Sequence, residues 1–258
     1  MAEKLILKWS YIPTDFFEEP FEYSENEYVV EIGNGRIVAT FSGVAGKQIE
    51  SLSREIQEEL NARFLGAQLV NNQPYQLSGY TTTRTRPDGT VEVGISFAAT
   101  LRMSGRCDAV VLDAAGNVKA DTRRERIEAQ KEFALLASKY RKDPVVGSLL
   151  KSYNAAITDP QNELTHLYEI RDALAKKLGG DADARSALGI TKDQWSRLGY
   201  LANEAPLSQG RHRGQKIGQL RDATPAELDE ARTIAKVMIR AYFDHLDSLA
   251  SAGPTHAG

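Results

Sequence analysis

The hydrophobic period of this chain changes near residue 120, and that change constrains its fold more than any single motif. Before it, apolar residues recur mostly at every second position; after it, they recur at spacings of three and four. LILKWSY places Leu5, Leu7, Trp9 and Tyr11 on one face of a strand, and YVVEI does the same with Tyr28, Val30 and Ile32. Gly33-Asn34-Gly35 predicts a tight turn into RIVATF. Pro87-Asp88-Gly89 predicts a second hairpin, joining GYTTTRTR to VEVGISFAATLRM, where Val91, Val93, Ile95 and Phe97 alternate; Asp113 to Asn117 predicts a third turn. One helix, from about Gln48 to Phe64, interrupts the strands with Ile49, Leu52, Ile56 and Leu60 on a stripe. Residues 1–120 therefore read as an α+β domain, a mainly antiparallel sheet with one helix.

From residue 121 to 250 the pattern is helical throughout. Asp121 to Arg141 offers Ile127, Phe133, Leu136 and Tyr140 as an inner face. Asp143-Pro144 starts a helix carrying Val146, Leu149, Leu150, Tyr153 and Ile157, and Asp159-Pro160 starts another, because aspartate caps a helix and proline suits its first turn. Thr191 with Gln194, and Thr224 with Glu227, are capping boxes. The last helix shows Leu228, Ala231, Ala235, Met238, Tyr242, His245 and Leu249 on one stripe, a near-heptad face that suits a homodimer or partner protein. The expectation is an all-α bundle of four or five helices, then a frayed tail over 251–258.

With 258 residues there is room for both domains, and no apolar run approaches the ~20 residues of a membrane span. A single cysteine excludes an intramolecular disulfide and points to the cytoplasm. Four scattered histidines leave little material for a metal site, and no motif asks for a cofactor. Charge is uneven: residues 1–120 hold 11 Lys and Arg against 16 Asp and Glu, and the remainder hold 21 against 19. A local cationic patch is thus the electrostatic feature to explain.

Several motifs reduce to structure. SGVAGKQ, residues 42–48, follows a strand and contains Gly-Lys. It has two residues between its glycines where a phosphate loop needs four, and Gln48 where that loop needs a hydroxyl, so it reads as a plain turn. Cys107, in CDAVVL, reads as a small buried thiol. His166 reads as solvated on the outer side of its helix, and His256 as an inert tail residue. Arg171 fills a gap in the stripe Leu164, Leu167, Leu174, Leu178, which predicts a buried ion pair with an acid on a neighbouring helix.

The patch itself is PLSQGRHRGQK. Arg211, Arg213, Lys216 and Arg221 fall within eleven residues that contain no acid, and His212 sits between two arginines. Guanidinium forks match phosphate oxygens, and imidazole exchanges protons near neutral pH. Gly210 and Gly214 free the backbone to present Arg211 and Arg213 to one region. The bland alternative has the arginines bind helix carbonyls and acids of the following helix, such as Asp229 or Glu230.

NELTHLYEIRDAL, then TKDQWSRLGYLANEAPLSQGRHRG, then a long amphipathic helix resemble the HEPN superfamily of helical domains, over roughly residues 121–250. The resemblance implies a helical bundle of prokaryotic defence, toxin or RNA-processing systems. Many of its members cleave RNA without metal, as dimers, through an Arg-x4–6-His motif; others only bind. Here Arg211 and His212 are adjacent. Arg240-x4-His245 has the formal spacing, but five helical residues turn about 500°, leaving those side chains about 140° apart. Two readings follow. One is a protein that binds RNA or a phosphate-bearing ligand through Arg211, Arg213, Lys216 and Arg221, with Arg211 and His212 as a candidate metal-independent ribonuclease pair and Arg240, His245 and Arg171 as secondary candidates. The other is a non-catalytic interaction or dimerisation protein in which the RHRG loop is structural.

Overall fold

The computed structural model describes residues 4–25, 28–42, 49–85, 91–94, 108–112, 117–215 and 218–251. It is an α+β protein: an antiparallel sheet with one helix, followed by a mainly helical region of six helices. The chain divides into two compact units, Met1–Ser138 and Lys139–Gly258.

In the first unit the strands are β1 (Lys4–Ile12), β2 (Phe21–Glu25), β3 (Tyr28–Gly33), β4 (Arg36–Ser42), β5 (Gln76–Leu77), β6 (Thr81–Thr85) and β7 (Val91–Gly94). They form one sheet in the order β2-β3-β4-β1-β6-β7, with β5 pairing the end of β1, and every pair is antiparallel. Gly33 pairs with Arg36, so Asn34-Gly35 is a two-residue hairpin loop. Both residues have positive φ, 52° and 77°, the conformation that suits the twist of the flanking strands. β6 and β7 pair as the second hairpin predicts, while its turn at Pro87–Gly89 and the positions of Ile95 and Phe97 lie outside the described residues. So do Cys107, nearly all of SGVAGKQ, and His256. A separate ribbon pairs β8 (Val110–Leu112) with β9 (Val118–Asp121).

Leu5, Leu7, Trp9 and Tyr11 all point inward, as alternation requires, and meet Val30, Ile32, Ile37, Ala39 and Phe41 from the neighbouring strands. Across this face lies α1 (Ile49–Asn71), which continues past Phe64 and adds Ile56, Leu60, Phe64 and Ala67 to the core. Within it Glu59 is fully buried. It accepts from Arg63 at 2.7 and 3.0 Å and from the Tyr28 hydroxyl at 2.9 Å, and Arg63 lies 3.6 Å over the Tyr23 ring.

The switch from strands to helices falls at Asp121, where the period changes, yet the first unit runs on to Ser138. The reason is α2 (Thr122–Lys139), which packs on α1. Its buried face differs from the apolar face expected. Ile127, Gln130, Ala134, Ala137 and Ser138 are buried, whereas Phe133 and Leu136 are only partly so. Small residues face inward because the helices approach closely: a Cβ on Gly66 would lie 2.3 Å from the Phe133 carbonyl oxygen and 2.7 Å from the Ala137 Cβ.

The second unit holds α3 (Pro144–Thr158), α4 (Glu163–Leu178), α5 (Asp181–Leu188), α6 (Lys192–Gly199) and α7 (Pro225–Ser251). Asp143 caps α3 by accepting from the Val145 and Val146 N–H groups, and Thr191–Gln194 closes a capping box on α6. Asp159 does not cap α4. A short 3-10 turn, Pro160–Asn162, intervenes, and the Asp159 carboxylate instead accepts from the Asn162 amide at 2.7 Å. Helix α4 joins α7 through buried Glu163, which accepts from Arg232 at 2.6 and 2.8 Å. Burial raises the Glu163 carboxyl above its ordinary range, and Arg232 partly offsets this. Among the described residues no helix is long and apolar enough to cross a membrane.

Candidate functional site

The RHRG loop is anchored at both ends by its backbone. Helix α6 ends in a π-helical turn, Tyr200–Glu204, and Pro206 prevents continuation. Buried Leu207 then forms an isolated bridge with Arg221, with the Ser208 and Arg221 N–H groups bonded across at 2.9 and 3.0 Å. The Arg211 N–H donates to the Ala202 carbonyl at 2.7 Å, returning the loop to the end of the π turn. Gly210 is needed for close approach rather than for an unusual φ: a Cβ there would sit 2.9 Å from the Ala202 oxygen. Gly214 meets nothing within 4 Å and has no positive φ, so neither geometry explains it.

So anchored, the loop lies along one stripe of α4 and its entry. Arg213 donates to the Asn162 side-chain oxygen and to the Gln161 carbonyl, the latter at 3.5 Å. The Thr165 hydroxyl donates to the Gln209 carbonyl at 3.5 Å. Arg211 lies 4.5 Å over the Tyr168 ring and reaches Asp172 through a single Nη1–Oδ2 contact of 3.4 Å. Asn162, Thr165, Tyr168 and Asp172 are spaced three, three and four apart, so they share a helical face.

The structure does not bring the two arginines to one region. Their partners on α4, Asn162 and Tyr168 with Asp172, are six and ten residues apart, about 9 and 15 Å along the axis. Nor do they bind the acids of the bland reading, since Asp229 pairs with Arg232 and Glu230 with Arg197. His212 is exposed; its carbonyl accepts from the Gln215 N–H at 3.0 Å, but its imidazole has no hydrogen-bond or ion-pair partner among the described residues. Lys216 lies outside the described residues.

Arg221 is engaged within the chain. It pairs with both Glu227 oxygens, at 2.7 and 2.8 Å, while Glu227 also accepts from the Thr224 N–H and hydroxyl in the capping box of α7. Arg221 and the Thr224 N–H hold the Glu227 carboxyl down to about 2. The secondary candidates separate too. Arg171 is 14% exposed, bonded to Asp181 at 2.6 Å and set between the Tyr168 and Trp195 rings, an ion pair with a neighbouring helix. Arg240 pairs with Asp244, and His245 stacks on Tyr242 at 6.2 Å, so these two form no joint site.

Sequence reasoning missed the α4 platform and misplaced His166. That ring is largely covered, with Nε2 3.3 Å from Asp159 and Nδ1 3.6 Å from Glu169. Asp159 also holds Asn162, so His166, Asp159, Asn162 and Arg213 form one polar chain leading to the loop. An open groove of about 760 Å³ between α6 and α7 lies apart from these contacts. Its lining includes Asp193, Asp229 and Glu230, which disfavour an anion. Among the described residues no group of three or more His, Cys, Asp or Glu could hold a metal ion. No family model, curated protein or solved structure matches the chain.

Proposed function

We propose that the protein binds the phosphate backbone of an RNA strand along the RHRG loop where it lies on α4. The observation that carries this reading is the state of Arg211. Its side chain is 37% exposed and its only carboxylate contact among the described residues is a single long one, beside the exposed imidazole of His212, which has no partner among them. A guanidinium has five N–H donors, so most of those on Arg211 remain for an external acceptor. Two arginines at separate stations suit successive phosphates of a strand better than one small anion. The likeness to HEPN domains belongs to the same proposal.

A second reading rests on Arg213 and Arg221. Both are bonded within the chain, and on this reading the loop only pins helices together.

The experiment is a titration with an unstructured RNA at two salt concentrations. On the first reading wild type binds with a strong salt dependence, and R211A both weakens binding and flattens the slope by about 0.7, the release expected for one single-strand phosphate. Salt-insensitive or absent binding by wild type leaves the pinning role. Incubation of the same RNA with chelator present tests cleavage: loss of cleavage in H212A with binding retained gives His212 a proton-transfer role.

A further inference from the structure

We infer that Asp172 is a built-in competitor for the anionic ligand: in the free protein its carboxylate occupies the Arg211 donors that a phosphate takes over. This rests on the reading of the loop as a phosphate-binding surface. Three other arginine–carboxylate pairs of the second unit are close and multiply bonded, and the singly bonded pairs Arg171–Asp181 and Arg240–Asp244, at 2.6 and 2.9 Å, are shorter than the Arg211–Asp172 contact. Arg232 meets Glu163 at 2.6 and 2.8 Å, Arg221 meets Glu227 at 2.7 and 2.8 Å, and Arg197 makes three contacts with Glu230 between 2.7 and 3.1 Å. Arg211 and Asp172 share one contact of 3.4 Å, with side chains 37% and 53% exposed. Among the described residues the Asp172 carboxylate has no other hydrogen bond or ion pair, so the loop is its sole engagement.

Such a contact is weak and exchangeable. A carboxylate presents two acceptor oxygens and one negative charge, as a phosphodiester does, so the two compete for the same donors. Tyr168 makes the exchange orderly. Its ring centroid lies 4.5 Å from the guanidinium carbon, and this contact attracts the cation without supplying a competing carboxylate. Asp172 then acts as a selectivity filter. Weak anions gain too little to displace it, and a phosphate strand that also reaches Arg213 gains enough.

The test is a double-mutant cycle read by binding of a short unstructured oligoribonucleotide at fixed salt, with wild type, D172N, R211A and R211A/D172N. D172N should bind about two- to five-fold more tightly than wild type, the factor that corresponds to removing a weak exposed ion pair. R211A/D172N should bind like R211A. D172S, which also removes the carbonyl acceptor that asparagine keeps, should reproduce the D172N result, and a thermal melt of each variant confirms folding. Equal binding by wild type and D172N overturns the inference while leaving the RNA-binding reading intact. The same holds for tightening that persists in the R211A background, which marks a bulk charge effect. Absence of binding by wild type and D172N alike overturns the RNA-binding reading itself, and the inference with it.

Discussion

The Arg211 guanidinium carbon lies 4.5 Å from the centroid of the Tyr168 ring. This contact fixes a long, flexible side chain that otherwise has one weak ion pair to hold it. A cation over an aromatic face at an exposed site contributes about 0.5–1 kcal/mol. Replacing the ring should therefore cost about two- to five-fold in RNA affinity. Y168L is expected to lose this, whereas Y168F, which keeps the ring, should bind like wild type. A binding titration on the two variants checks it.

The arginines of the loop should separate by stability. Arg213 is bonded to Asn162 and Gln161 and Arg221 to Glu227, whereas Arg211 and His212 face solvent. R213A should lower stability by about 1 kcal/mol, a melting shift of about 3–5 °C for a unit of this size. R221A should also melt earlier, because it strips the cap of α7 of its counter-charge. R211A and H212A should stay within about 0.5 kcal/mol of wild type, as exposed substitutions do. Thermal melts of the four variants decide it, and equal losses in all four would contradict the division.

The sequence made some of this legible and hid the rest for physical reasons. Alternation over Leu5, Leu7, Trp9 and Tyr11 is a local signal, and those residues do form the inner face of β1. The capping boxes at Thr191 and Thr224 are equally local, four residues long, and both are present. The α2 face was misleading because burial there follows closeness to Gly66, a residue distant in sequence, and not side-chain size. Arg211, His212 and Arg213 look convergent on paper, but consecutive loop residues diverge: Arg211 reaches Tyr168 and Asp172 on α4, Arg213 reaches Gln161 and Asn162 at its entry, and His212 faces solvent. The polar stripe Asn162, Thr165, Tyr168, Asp172 is visible at helical spacing in the sequence. Its meaning needed the loop some 40 residues onward to be laid against it, and no local pattern supplies that pairing.

The helical glycines Gly66 and Gly147 should respond in opposite directions to alanine. A Cβ at Gly66 would meet the Phe133 backbone oxygen at 2.3 Å, and a backbone atom within a packed helix pair cannot step aside cheaply. G66A should cost about 2–3 kcal/mol or more. At Gly147 in α3 nothing lies within 4 Å of the added methyl, so G147A should gain up to about 1 kcal/mol from reduced backbone entropy in the unfolded chain. Denaturant unfolding of both variants measures the signs, and a stabilised G66A would refute the close approach of α1 and α2.

The cap of α7 should titrate in acid. The Glu227 carboxyl is held at about 2 in the folded protein, by Arg221 first and then by the Thr224 N–H, against 4.5 for the free side chain. The folded state therefore binds this proton less readily than the unfolded state. Its contribution to stability is complete above about pH 4.5 and is lost as pH falls toward 2. Both groups lie near the surface, where solvent and salt screen the interaction, so the loss at high ionic strength should be smaller than at low. E227Q keeps an acceptor for the Thr224 N–H but carries no titrating charge. It should be less stable than wild type at pH 6, and the gap should close as pH falls from 4.5 toward 2. Other depressed carboxyls, Asp159, Asp181 and Asp247 among them, contribute to the acid sensitivity of both proteins equally, so the difference between the two curves isolates Glu227. Melting temperatures of wild type and E227Q across that range, at low and high salt, check the prediction. A gap that stays constant with pH would mean that the Arg221–Glu227 pair does not hold the charge at the start of α7.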